Sequence, residues 1–119
     1  MRRFYSIRNL SYARGQDALK KKVRQGNSQK VRINSGALRG RKLLFPNFEG
    51  LRPTLGRTRE TLFNWISPSL SNARCLDLFA GSGVLGIEAV SIGAQEAVFV
   101  ENNPAAADHI KAALEPFDL

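Results

Sequence analysis

The chain has 119 residues, enough for one domain at most. Its 43% apolar content is ordinary for a soluble globular protein, and no apolar run approaches the roughly 20 residues of a membrane span. The net charge of +8 is uneven: residues 1–60 carry sixteen Lys and Arg against Asp17, Glu49 and Glu60, whereas residues 61–119 carry Arg74 and Lys111 against seven acids. A basic half joined to an acidic half suits a polyanionic substrate brought to a small-molecule site.

Residues 1–29 read as a basic flexible arm. Arg2, Arg3, Arg8 and Arg14 precede the first acid, Asp17, and Lys20, Lys21, Lys22 and Arg24 follow. A short helix from Gln16 to Arg24 would have almost no apolar face. An arginine-rich, acid-poor start also fits a transit peptide, which would place the protein in a mitochondrial or plastid matrix. An arm that neutralises RNA phosphates is the better reading, because nothing apolar recurs at a regular spacing.

From residue 30 the pattern changes. Val31 and Ile33 alternate with Arg32 and Asn34, the period of a half-buried strand. Gly36 and Gly40 supply a turn, and Lys42 to Phe45 gives a second strand ending at Pro46. Residues 30–46 are therefore expected to form a β-hairpin lined by Arg32, Arg39, Arg41 and Lys42. Such a hairpin is marginal alone and must dock on something. Asn47 to Gly56 is loop, and a helix is expected over about 57–66, stopped by Ser67 and Pro68. Leu62, Phe63 and Ile66 would form its buried stripe, with Trp65 at the edge. Arg57 and Arg59 lie in its first turn, where the helix dipole disfavours cations. They call for an anionic partner: RNA phosphate, a cofactor carboxylate, Glu60 or Asp77.

Residues 73–101 read as strand, glycine turn, helix and strand, one βαβ unit. Cys75, Leu76, Leu78 and Phe79 form the apolar run of a buried parallel strand. Cys75 is read as a strand residue rather than a nucleophile, and the lone His109 as an exposed or capping residue. With one cysteine there is no internal disulfide, and no Cys/His cluster suggests a metal. Val84 to Ile92 has helical spacing, stopped by Gly93. Ala97 to Val100 forms the second strand, and a last helix is expected over about 104–114. Gly81, Gly83 and Gly86 match G-x-G-x-x-G, and Glu101 follows at about the distance of a ribose-binding acid. Read alone, this suggests a dinucleotide and an oxidoreductase. Asp77 argues otherwise, since a carboxylate four residues before the first glycine would repel a diphosphate. It suits a ligand with a cationic amino group and ribose hydroxyls, as in S-adenosylmethionine. A turn with no ligand is the remaining alternative.

Three stretches carry a closer resemblance: VRINSGALRGRKL from Val31, LRPTLGRTRETLFNW from Leu51 and CLDLFAGSGVLGIEA from Cys75. Together they resemble the RsmD family, over roughly residues 30–112. The resemblance implies an α/β, Rossmann-like class I methyltransferase fold that uses S-adenosylmethionine. It implies methylation of a guanine N2 in small-subunit ribosomal RNA, in the cytoplasm, with the ribosomal subunit as partner. Cofactor contacts are expected from Asp77, Phe79, Gly81, Gly83, Glu101 and Asn102. RNA contacts are expected from Arg32, Arg39, Arg41, Lys42, Arg52, Arg57 and Arg59. Gly56 departs from the family, which usually has an acidic residue there. The family's catalytic Asp-Pro-Pro-aromatic motif does not occur in these residues; Asn102-Asn103-Pro104 follows the wrong strand and lacks the second proline and the aromatic. Residues 30–119 thus read as the N-terminal part of such an enzyme, inactive alone. An unpaired sheet edge open to self-association is expected, and a non-catalytic RNA-binding remnant is the alternative.

Overall fold

The computed structural model describes residues 3–8, 28–46 and 56–115. Its centre is a parallel pair, β4 (Arg74–Asp77) and β5 (Glu96–Glu101), joined through helix α2 (Val84–Ile92). Register runs from Arg74 opposite Glu96 to Asp77 opposite Phe99. Helix α2 is buried at every position except Leu85 and Ile92, so it is a core element rather than an amphipathic surface helix. It lies on the sheet at very short range. A Cβ on Gly86 would stand 2.4 Å from the Phe99 ring, so only glycine fits there. Phe99 is fully buried as a result.

The other side of α2 carries the hairpin, β2 (Ser28–Arg32) and β3 (Lys42–Pro46). Its antiparallel register runs from Ser28 opposite Pro46 to Arg32 opposite Lys42. Alternation holds as expected on the first strand, where Val31 and Ile33 are buried and Lys30 and Arg32 face out; on the second, Leu43 and Phe45 are buried and Lys42 faces out. The tip docks by its backbone. Ala37 N–H donates to the Ser91 carbonyl at 2.8 Å, and a Cβ on Gly36 would overlap that oxygen at 2.0 Å. Helix α1 (Gly56–Ile66) continues into a single 3₁₀ turn, Ser67–Ser69. Helix α3 (Pro104–Leu114) is capped by the Asn103 side chain, which accepts from the Ala105 and Ala106 amides. Its Ala106, Ala107, Ile110 and Leu114 enter the core. His109 is not a free surface or capping residue. It is half-buried, sets its Nε2 against the Leu44 carbonyl and meets Phe45 edge-on at 5.8 Å, fastening α3 to the hairpin.

Three further expectations need correction. The first concerns the arm. Arg3–Arg8 forms strand β1, antiparallel to β5 with Arg3 opposite Glu101, so the sheet has three strands in the order β1-β5-β4. The edge of β5 is therefore paired; the rest of the arm, including the Gln16–Arg24 helix, lies outside the described residues. The second concerns β4, which has a strand on one side only among the described residues. Leu76 is 64% exposed and Leu78 44%, unlike a strand buried on both faces. The third concerns α1. Its buried residues are Arg59 and Phe63, while Leu62 is half-buried, Ile66 lies at the surface and Trp65 is 77% exposed. No described helix is long and apolar enough to cross a membrane, and no described group of His, Cys, Asp and Glu could hold a metal.

Candidate cofactor site

The site forms where β4 and β5 end side by side. After Asp77 the chain turns, and Ala80 N–H donates to the Val100 carbonyl at 3.0 Å, fixing the turn to the neighbouring strand. Gly81 follows with φ +55°, and a Cβ built there would meet no atom within 4 Å. Backbone is thus presented to open space, with the left-handed conformation that glycine adopts at no steric cost. Gly83 then caps α2 at φ +79°. The motif's three glycines differ in role: Gly81 faces outward, Gly83 starts the helix, and Gly86 admits the Phe99 ring.

Two carboxylates bracket this turn. Glu101 is 6% exposed; its Oε2 accepts the Gly81 N–H at 2.7 Å and its Oε1 the Asn103 N–H at 3.1 Å. One side chain thereby ties the loop after β4 to the loop after β5. Each oxygen keeps acceptor capacity for a further donor such as a sugar hydroxyl. Asp77 is partly buried and accepts the Gly86 N–H at 3.2 Å. Burial pushes its carboxyl above the usual carboxylate range; the Gly86 amide opposes this and the nearby Glu101 reinforces it. A carboxylate so placed favours a ligand cation, which would offset both the desolvation and the repulsion. The same pair disfavours a diphosphate. Phe79, 80% exposed, and Asn102, also exposed, lie beyond these hydrogen bonds. Cys75 is half-buried on β4 with its thiol pushed up by burial, the opposite of an activated nucleophile.

The cations expected to meet RNA separate into two sets. Arg32, Arg39, Arg41 and Lys42 are exposed on the hairpin and Arg57 on α1; Arg52 lies outside the described residues. Arg59 is a correction. It is 4% exposed, its Nη1 lies 2.7 Å from Glu88 Oε2, and it also donates to the Arg32 carbonyl at 3.0 Å. Glu88, on α2, was not among the partners the sequence suggested. Its other oxygen accepts the Asn34 and Ser35 amides at 2.8 and 3.1 Å and the Ser35 hydroxyl at 3.3 Å. Ser91, one turn along, donates to the Ser35 carbonyl at 2.6 Å and accepts the Leu38 N–H at 2.9 Å. Arg59, Glu88 and Ser91 therefore join α1, α2 and the hairpin tip. The available signal was a single acid, with Ser91 the one other polar side chain, within the apolar run Val84–Ile92.

A family model described as Conserved hypothetical protein 95 matches residues 31–119. The chain is 49% identical over 90 residues to ribosomal RNA small subunit methyltransferase D of Escherichia coli strain K12, covering 76% of this chain and 46% of that protein. It is 48% identical over 96 residues to the protein of the same name from Haemophilus influenzae, covering 80% of this chain and 50% of that one. A solved Escherichia coli structure named "Putative methyltransferase" superposes with a TM-score of 0.69 at 42% identity, over 76% of this chain and 48% of that one. The chain spans about half the length of the curated relatives it matches.

Proposed function

The chain belongs to the RsmD family, with a partial Rossmann-like methyltransferase fold, and from that membership we propose that its glycine turn binds S-adenosylmethionine for methyl transfer to small-subunit ribosomal RNA. The carrying observation is the pair of carboxylates around an open glycine: Glu101 held at 2.7 Å from the Gly81 amide, with Asp77 beside the same turn. When bound, the cofactor supplies an electrophilic methyl group on a sulfonium. Asp77 receives the amino group, directly or through water. Gly81 lets the backbone approach the methionine moiety, and Gly83 holds the turn behind it against Ile110 and Phe99. Glu101 accepts from the ribose hydroxyls, while Phe79 and Asn102 stand at the rim of the turn. Arg32, Arg39, Arg41, Lys42, Arg52 and Arg57 engage RNA phosphates. The target atom in this reading is the exocyclic N2 of a guanine, and the setting is the cytoplasm. Holding that amine in line with the methyl group needs a near-attack geometry. The residues present here hold the donor; the family's Asp-Pro-Pro-aromatic motif, which holds the acceptor, is not among them.

Calorimetric titration with S-adenosylmethionine tests the pocket. Asp77→Ala and Glu101→Ala each remove a charge-assisted hydrogen bond worth about 1.5–3 kcal/mol, so affinity should fall about ten- to a hundredfold. Glu101→Gln, which keeps an acceptor for the Gly81 amide, controls for folding. Unchanged affinity in both alanine variants, or tighter binding of a nicotinamide dinucleotide than of S-adenosylmethionine, would overturn the assignment.

A further inference from the structure

Strand β1 stands where the topology calls for a different strand. β4, α2 and β5 form one crossover, and α3 leaves β5 on the same face as α2: a Cβ on Gly83, which caps α2, would meet Ile110 of α3 at 3.3 Å and the Phe99 ring at 3.5 Å. Crossovers between parallel strands are almost always right-handed. Two consecutive right-handed crossovers over one face advance in one direction across the sheet. A chain leaving α3 therefore enters beside β5 on the side away from β4, and parallel to β5. β1 holds that edge, and it runs antiparallel. α3 lies against both β5 and β1, as it would against the two strands of its own crossover. The family match begins at residue 31, so β5 and α3 lie inside it and β1 outside. The strand at this edge is thus not part of the pattern that the family shares.

We propose that the outer edge of β5 is a strand-docking site, that β1 is its exchangeable cap, and that the partner it fits is the parallel strand following the same helix in the C-terminal half of the longer family members. β1 suits the role of a cap. Its register covers all of β5, from Arg3 opposite Glu101 to Arg8 opposite Glu96, whereas β4 reaches only from Glu96 to Phe99. The edge that would otherwise be open to any passing strand is closed. Residues 9–27 separate β1 from the hairpin, a tether long enough for β1 to leave the edge without moving the hairpin. The two occupants exclude each other, because one strand edge offers one row of backbone donors and acceptors.

The probe is the C-terminal half of the ribosomal RNA small subunit methyltransferase D of Escherichia coli, carrying a fluorescent label. It is diluted from urea together with each of three forms of this chain, and anisotropy reads association. The forms are the full chain, the chain lacking residues 1–8, and a locked variant, Ser6→Cys with Val98→Cys in a Cys75→Ala background. Ser6 lies opposite Val98 in the register, so an oxidised disulfide there holds β1 on β5. The shortened chain should bind about tenfold or more tightly than the full chain, which must first give up β1. The oxidised locked variant should not bind, and reduction should restore the affinity of the full chain. In the complex with the full chain, hydrogen exchange followed by NMR should find the β1 amides freed and the β5 amides still protected. Equal affinity of the oxidised and reduced locked variant would overturn the proposal. So would β1 amides that stay protected in the complex, or no association with any of the three forms.

Discussion

Replacing Glu88 by Gln isolates the electrostatic part of the contact that joins hairpin, α1 and α2. The carboxylate is 1% exposed and Arg59 4%, with 2.7 Å between their charged atoms. Glutamine keeps the volume and one acceptor oxygen, so the Asn34 and Ser35 amides can still be satisfied. It cannot compensate a buried guanidinium. Breaking one side of a buried ion pair costs about 3–5 kcal/mol, most of it the penalty for the charge left behind. That is a large share of the about 5–15 kcal/mol that holds a typical domain folded. Urea unfolding followed by far-ultraviolet circular dichroism should show the midpoint falling with little change in slope. The double variant Glu88→Leu, Arg59→Met should recover most of the loss, because no unpaired charge remains. Arg59→Met alone should lower stability and leave the salt dependence of RNA binding unchanged. A loss below about 1 kcal/mol for Glu88→Gln would refute the buried-pair account. A shallower salt slope for Arg59→Met would return that arginine to the RNA contacts.

Asp77 gives a stability prediction of the opposite sign. Its folded-state pKa is raised, so the folded chain binds this proton more tightly than the unfolded chain. Its contribution is fully present below the ordinary carboxylate pKa and is lost as pH rises through the raised value. Asp77→Asn should therefore be more stable than the parent at neutral pH, with the difference closing in acid, even though it binds S-adenosylmethionine less well. Thermal midpoints across a pH series measure this, and a variant less stable at pH 7 than at pH 3 relative to the parent would contradict it. The polypeptide of these 119 residues should transfer no labelled methyl from S-adenosylmethionine to under-methylated small ribosomal subunits. Turnover above a no-enzyme control would place the acceptor site within them.

What the sequence determined by itself was local. Alternation over Val31–Ile33, the turn glycines and the apolar run ending at Pro46 gave the hairpin, and turn residues gave the boundaries of α1 and α2 to within a residue or two. The βαβ pattern placed Gly81 and Glu101 together, and they meet at 2.7 Å. These features follow from backbone periodicity and chain connectivity, which a short window contains. Tertiary structure decided which elements became partners. Arg59 and Glu88 are separated by 29 residues, and a carboxylate within an apolar helix does not indicate which distant cation reaches it. The pairing of Arg3–Arg8 with β5 joins residues more than eighty apart, beyond any local signal. Leu76 has the composition of a buried strand residue, but its exposure depends on whether another element covers its face of the sheet. Gly81 and Gly86 are alike in the motif; only the packed Phe99 ring makes one a steric necessity and leaves the other open to a ligand. The physical reason is common to all four: periodicity fixes which way a side chain points, and the long-range packing of other elements fixes what it meets there.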